Sequence, residues 1–164
     1  DIFHRHADRV KMANIAQMVN VLQAMILTKG DQMILTPTYH AFKMYSVHQN
    51  ATYIPVSIIS EDYKVGDMSI AAVSGTASQK DGKVNVSLSN VNPRKSIKVT
   101  IDLGTGAVKK VNEGTILAAK AFNSINTFEK PNEIAPKSFN DFKLAKNTLE
   151  VTLPPLSIVN LELQ

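Results

Sequence analysis

The chain of 164 residues is 44% hydrophobic and 20% charged, a composition typical of a globular protein with one sizeable core. It has no cysteine, which excludes disulfides, thiolate metal sites and a cysteine nucleophile. Its net charge of +4 comes from scattered lysines and arginines without interleaved aromatic residues, so solvated strand faces are favoured over a nucleic-acid interface. No run reaches the ~18 apolar residues that a membrane-spanning helix needs, and no membrane partner is expected.

The first eight residues are mostly polar or charged and carry two histidines. His4 and His6 stand two positions apart, so on a helix they would project to different faces. This spacing favours surface or helix-end histidines over a metal site. No metal site is predicted elsewhere in the chain.

The segment of residues 8–21 is strongly apolar and is interrupted by amide side chains. Its apolar residues recur at helical spacing with Asp8 as an N-cap, which favours an amphipathic helix. The same run also suits a strand buried on both faces of a parallel sheet, and periodicity does not decide between them. Either structure could hold the amides of Gln17 and Asn20 still for a polar ligand.

Two short apolar runs flank Lys29-Gly30-Asp31, which predicts a β-hairpin over residues 24–36. Thr36 and Pro37 then predict the start of a helix, with Thr36 as N-cap and Pro37 at the first position. The helix is predicted to end near residue 49. Its predicted buried face consists of Ala41, Phe42, Tyr45 and His48, and the neighbouring rings of Tyr39 and His40 are also interpreted as packed side chains.

From Ala51 onward, short runs of β-branched and apolar residues are separated by turn signals. Strands are predicted at residues 53–59, 68–74, 83–89, 96–103, 114–121, 138–145, 148–153 and 156–163. In three of them every second residue is apolar: Val84, Val86 and Leu88; Ile97, Val99, Ile101 and Leu103; Leu149, Val151 and Leu153. Half-buried antiparallel strands give this alternation.

Turn residues at 80–83, 90–93, 104–106 and 146–147 agree with these strand ends. The predicted fold is therefore mainly β, with an antiparallel β-sandwich of jelly-roll type over residues 51–164. The boundary with residues 1–50 falls at 50–52. No Gly/Ser/Pro-rich linker occurs there, so the two parts are expected to pack rigidly.

Four motifs spread over the whole chain resemble one family. They are HADRVKMANIAQMVNVLQAMILT from His6, LTPTYHAFKMYSVHQNATYIPV from Leu35, NTFEKP from Asn126 and LPPLSIV from Leu153. Together they resemble family 51 of the glycoside hydrolases, the α-L-arabinofuranosidases. The resemblance implies that residues 1–50 are the last strand and last helix of an incomplete (β/α)8 barrel, and that residues 51–164 are the family's C-terminal sandwich.

The resemblance also implies one site residue. It places the amide of Gln17 in the active site, in contact with the arabinofuranose. An amide suits this role because it both donates to and accepts from sugar hydroxyls without carrying charge. Asn14 and Asn20 are weaker candidates, and we expect them to hydrogen-bond backbone groups near the strand end.

The activity that the resemblance implies is hydrolysis of terminal α-L-arabinofuranosyl linkages in arabinan, arabinoxylan and related glycans, with retention and without a cofactor. Its two catalytic glutamates are expected upstream of Asp1. The glutamates of this chain occupy positions typical of solvated turns and strand faces, so we expect no catalytic residue here and no turnover by the chain alone.

Two roles are open for the sandwich itself. It is expected to brace the barrel within a homo-oligomer, and a non-catalytic carbohydrate-binding module is the alternative, which the absence of tryptophan disfavours. Intracellular, periplasmic and secreted locations are all compatible with the sequence. Apolar residues between Met12 and Leu27 would be uncovered without a complete barrel, which predicts self-association or refolding as an amphipathic helix.

Overall fold

The computed structural model describes residues 1–105 and 108–164, so the predicted turn at 104–106 lies partly outside the described residues. The helices are α1 (Ile2–Arg5) and α2 (Pro37–Tyr45), and a 3-10 turn (Ser46–His48) follows α2. The strands are β1 (Ile26–Lys29), β2 (Gln32–Leu35), β3 (Thr52–Ile54), β4 (Asp62–Val65), β5 (Met68–Ala71), β6 (Val73–Lys80), β7 (Lys83–Asn90), β8 (Ile97–Asp102), β9 (Val111–Ala118), β10 (Lys137–Ser138), β11 (Phe142–Ala145), β12 (Thr148–Leu153) and β13 (Ser157–Leu163).

Two antiparallel sheets form a sandwich. The larger has the strand order β10-β9-β13-β7-β6-β3, and the smaller has the order β11-β12-β8. Hairpins β1-β2 and β4-β5 stand apart from both sheets. The mainly β, antiparallel fold class predicted from alternation and turn spacing is confirmed.

Strand alternation gives the six-stranded sheet two chemically different faces. One face is apolar and packs on β12 to form the core: Val73, Ala77, Val86, Leu88, Val159, Leu161 and Leu163 against Leu149, Val151 and Leu153. The other face carries hydroxyl, amide and carboxylate groups in register across β6, β7, β13 and β9: Ser74, Thr76, Ser78, Asn85, Ser87, Asn160, Glu162, Glu113 and Thr115. Whatever packs on this second face must satisfy buried polar groups.

The predicted hairpin and helix in the first fifty residues are confirmed. Strands β1 and β2 pair in register, with Gly30 in the left-handed region at φ +60°. The Thr36 side chain accepts from the backbone N of Tyr39 at 3.4 Å, as an N-cap should. No helix among the described residues has the length and apolar character that crossing a membrane requires.

The predicted buried face of α2 is partly wrong. Met44 and His40 are the buried residues of the helix, whereas Phe42 is 47% exposed. The physical reason is the direction from which the sheet approaches, because Met44 packs on Leu117 and Ile134 and thereby rotates Phe42 toward solvent. Amphipathic spacing alone does not fix that direction.

Several strand boundaries also differ from prediction. Strand β3 ends at Ile54, because Pro55 has no N–H to donate to a ladder. The predicted strand at 68–74 is two strands, β5 and the start of β6, and the predicted strand at 138–145 is likewise β10 and β11. β4 and most of β6 were not predicted from the sequence.

Residues 9–25 form neither of the predicted structures. They contain no helix, and their one β-bridge pairs Val19 with Ile26 in parallel. The helical interpretation with Asp8 as N-cap is wrong, because residues 6–9 form turns after α1 and residues 10–15 have no regular structure. Met12 and Leu22 are 78% and 94% exposed, so the segment has not refolded as an amphipathic helix on the sandwich.

Candidate functional site

His48 lies on the polar face of the six-stranded sheet and joins two of its strands. Its Nδ1 is 2.7 Å from the Oγ of Ser78 on β6, and its Nε2 is 2.8 Å from the Oγ of Ser87 on β7. Both ring nitrogens therefore have partners within the protein. The interpretation of His48 as a packed histidine rather than a ligand is confirmed.

The N-terminal residues extend this polar interface along β6. The Asp1 carboxylate accepts from the Tyr45 hydroxyl at 3.0 Å and from the Ser74 hydroxyl at 2.6 Å. The Nδ1 of His4 is 3.2 Å from the Oγ1 of Thr76, and His4 lies in the last turn of α1, so the helix-end alternative of the prediction is the one found. Burial raises the pKa of Tyr45 to about 12, which keeps its hydroxyl a donor.

The setting of His48 predicts a pH-dependent stability. Burial, with a smaller contribution from His4, lowers the pKa of His48 from 6.5 to about 4. Because the pKa of His48 is lower in the folded chain than in the unfolded chain, protonation of His48 favours unfolding. The folded chain therefore has its full stability above pH 6.5 and loses stability as the pH drops toward 4. The ring is partly exposed, so we expect a loss on the order of 1–2 kcal/mol, measured by urea unfolding at neutral and acidic pH.

His48→Gln is the control for this prediction. The amide keeps hydrogen-bonding capacity toward the two serines but does not titrate in this range. Its free energy of unfolding should therefore change less between the two pH values than that of the unsubstituted chain. An equal change in both proteins would show that other groups cause the acid sensitivity.

A cleft of about 230 Å³ opens between α2 and the polar face of the sheet. Its floor consists of side chains from three neighbouring strands: Asn85 on β7, Asn160 and Glu162 on β13, and Glu113 and Thr115 on β9. Its walls are Lys43, Met44 and Val47 from the helix side and Pro136 from the loop before β10. Asn160 is anchored by its Nδ2, which donates to the backbone O of Met44 at 3.1 Å.

The carboxylates of this cleft differ in their surroundings. Glu162 accepts from the Nζ of Lys83 at 2.9 Å and from the Nδ2 of Asn112 at 3.1 Å. These two bonds lower the pKa of Glu162 and keep it ionised. Glu113 lies directly opposite Glu162 in the β9–β13 ladder and accepts from the hydroxyl of Thr115 at 3.4 Å.

The amides singled out in the sequence lie elsewhere. Gln17 and Asn14 are exposed within the irregular segment of residues 9–25, and neither lines the cleft. Asn20 is occupied as expected, since its Oδ1 accepts from the backbone N of Thr28 and its Nδ2 donates to the Thr28 hydroxyl, both at 2.8 Å.

Sequence reasoning missed the cleft because it assigned its glutamates to solvated strand positions. The signal was present in the polar alternation Asn160-x-Glu162 and Glu113-x-Thr115, which places these side chains on one face of paired strands. No group of three or more histidines and carboxylates within the described ranges could hold a metal ion.

Comparison with known sequences gives consistent matches. Residues 1–157 match the family model described as the α-L-arabinofuranosidase C-terminal domain. Over its whole length the chain is 52% identical to an intracellular exo-α-L-arabinofuranosidase of Bacteroides ovatus. The match covers 32% of that protein's length. A second relative, an intracellular exo-α-(1→5)-L-arabinofuranosidase of Streptomyces lividans, is 24% identical over 93% of the chain and 23% of its own length.

Solved structures agree with these matches. The GH51 arabinofuranosidase of Xanthomonas axonopodis pv. citri superposes with a TM-score of 0.95 and 47% identity, over 100% of this chain and 33% of that one. The arabinose complex of the Thermotoga maritima α-L-arabinofuranosidase gives a TM-score of 0.82 at 28% identity, over 96% of this chain and 35% of that one. The chain thus spans about a third of the length of these proteins.

Proposed function

We propose a function from one premise, which is that this chain belongs to the α-L-arabinofuranosidase C-terminal domain family. We infer that it is part of a longer enzyme that removes terminal α-L-arabinofuranosyl residues from arabinan- or arabinoxylan-type glycans. The observation that carries this is that the whole chain matches arabinofuranosidases, over about a third of the length of those proteins. The reaction retains configuration, which requires two carboxyl groups about 5 Å apart, and it uses no cofactor.

In this proposal the chain divides near residue 50. Residues 1–50 supply the last strand and last helix of a (β/α)8 barrel, and residues 51–164 are the C-terminal sandwich. The exposure of apolar side chains between residues 9 and 25, including Met12 and Leu22, supports this division. Such side chains need a covering surface, and the neighbouring strands and helices of a barrel would provide one.

Gln17 is the substrate-binding residue of the proposal. Its side chain is exposed and free to reach outward from residues 9–25, beside apolar positions that the barrel would cover. Within a closed barrel the amide would be held by its neighbours and would bond sugar hydroxyls. A sugar that fails to pair with a buried amide loses about 1–3 kcal/mol, so the amide would contribute to specificity as well as affinity.

The sandwich is proposed to act as a brace rather than as a catalyst. Its support is the hydrogen-bonded interface between the polar face of the sheet and the first fifty residues, in which His48 and Asn160 bond across to the opposite side. An interface of paired polar groups fixes relative orientation, because each lost bond leaves a desolvated partner. A homo-oligomer of the longer enzyme is part of this proposal.

Assays on a chromogenic α-L-arabinofuranoside test the function. The longer protein that carries this chain should release the chromophore, and the isolated chain should release none above the uncatalysed rate. The reason is that the proposed catalytic glutamates lie outside these residues. Turnover by the isolated chain that disappears in a Glu113→Gln or Glu162→Gln variant would overturn the proposal of a non-catalytic brace.

The second arm of this test is Gln17→Ala in the longer protein. We expect kcat/KM for the arabinofuranoside to fall roughly 10- to 100-fold, the loss of one or two hydrogen bonds to substrate. The matched control is Gln79→Ala, which removes an exposed amide at the end of β6 and should leave kcat/KM unchanged. Equal activity of the two variants would remove Gln17 from the site.

A further inference from the structure

We propose that the cleft between α2 and the polar face of the six-stranded sheet binds a neutral polyhydroxylated ring, that is, one sugar residue. The site lies where α2 meets the sandwich and does not include Gln17, so it goes beyond the proposed hydrolysis. Four features of the cleft carry the inference: an amide that no other residue of the described chain bonds, a buried acceptor without a partner, a balanced set of charges, and a size that fits one ring.

The first feature is Asn85. It is only 7% exposed, it lines the cleft, and its side chain makes no hydrogen bond to another residue in the described part of the chain. The amide atoms of Asn85 keep access to the cleft, since the buried unpaired side-chain atoms of the described residues are His40 Nε2 and Asn160 Oδ1. A ligand that donates and accepts at adjacent atoms would satisfy both ends of the amide.

The second feature is Asn160, one strand away on β13. Its Nδ2 is engaged by the backbone O of Met44, and its Oδ1 is buried without a hydrogen-bond partner among the described residues. This leaves a fixed acceptor at the cleft floor, diagonal to Asn85 across the β7–β13 ladder. Two amides on neighbouring strands therefore line the cleft with hydrogen-bonding capacity that the protein does not use, which a ligand with several hydroxyls can occupy.

The third feature is charge. Two carboxylates, Glu113 and Glu162, line the cleft, and Lys43 lines it as well. Lys83 pairs with Glu162 at 2.9 Å, so the two negative groups are balanced by two positive ones. With two negative and two positive groups, the cleft gives neither a cation nor an anion a net Coulombic advantage, which favours a neutral ligand. Carboxylates and amides together offer the acceptors that sugar hydroxyls need.

The fourth feature is size and shape. A cleft of about 230 Å³ has room for roughly eight waters at ~30 Å³ each, which is enough for one sugar ring and too little for a drug-sized molecule. Met44, Val47 and Pro136 form an apolar side against which the C–H face of a ring can lie. No aromatic ring lines the cleft to stack on the sugar, so the dissociation constant should be weak, on the order of 1–10 mM.

The experiment is an NMR titration of this chain with L-arabinose and, separately, with an α-1,5-linked arabinotriose. We expect saturable shifts of the backbone amides around Asn85, Glu113 and Asn160. Comparing the two ligands distinguishes a free monosaccharide from the end of a glycan as the source of the ring. Asn85→Ala should weaken binding roughly tenfold while preserving the fold, because it deletes an unpaired polar group rather than a bonded one.

Two further variants sharpen the result. Glu113→Gln, at an exposed position of β9, should weaken binding without unfolding the sheet. Asn123→Ala, which changes an exposed asparagine outside the cleft, should bind as well as the unsubstituted chain. The proposal is overturned if shifts fail to saturate, if they map to residues 9–25, if Asn85→Ala binds unchanged, or if calcium binds the cleft and sugars do not. Activity of the longer protein is measured separately, so failure here leaves the hydrolase proposal intact.

Discussion

Leu161→Ala should lower the free energy of unfolding by about 3–5 kcal/mol. Leu161 is fully buried on β13, the strand that pairs with both β7 and β9 in the middle of the larger sheet. Its partners across the ladders are Val86 and Gly114. A β-carbon on Gly114 would clash with the backbone O of Phe139, so the backbone packs closely there and cannot easily collapse into the space left by the leucine.

Urea denaturation measures this effect, with Leu22→Ala as the matched control. Leu22 is 94% exposed in the segment of residues 9–25, and truncating it removes the same atoms without leaving a cavity. Its free energy of unfolding should stay within about 0.5 kcal/mol of the unsubstituted value. Similar losses in both variants would mean that the segment of residues 9–25 packs on the sandwich in solution.

The strands that the sequence predicted well share one property. β7, β8 and β12 alternate large apolar residues with polar ones, so the period of two is visible without knowing the partner strands. β6 was mostly missed because its apolar face is made of small residues such as Gly75 and Ala77. A β-carbon on Gly75 would lie 2.7 Å from the side chain of Leu88 and 2.9 Å from the backbone O of Ser87, so the position requires a residue that carries no apolar signal.

Identifying the two candidate sites required different kinds of information. Gln17 followed only from the family resemblance, because an amide in an apolar run is compatible with several roles. The cleft depends on which strands become neighbours, since Asn85, Glu162 and Glu113 align only after β7, β13 and β9 pair. Alternation predicts that each of these side chains lies on the face of its strand that points away from the core. Strand order, however, is a tertiary property that local sequence does not encode.

Asn126→Ala should lower the free energy of unfolding by about 2–4 kcal/mol, and its effect would test how the first fifty residues are held to the sandwich. Asn126 is 3% exposed in the loop between β9 and β10. Its Nδ2 donates to the backbone O of Leu35 and of Ile134, both at 2.9 Å, and its Oδ1 accepts from the backbone N of Ile134 at 2.8 Å. Alanine would leave these buried backbone groups without partners, which costs more than the bonds themselves contribute.

The control is Asn123→Ala, an exposed asparagine in the same loop, which should change stability by less than about 0.5 kcal/mol. Hydrogen exchange at β1 and β2 separates two effects of Asn126→Ala. If the bond to Leu35 braces the hairpin, exchange should accelerate there more than in β13, because local opening then needs less free energy than global unfolding. Equal acceleration in the hairpin and in β13 would mean that Asn126 orders only its own loop, and the brace would then depend on the His48 and Asn160 contacts.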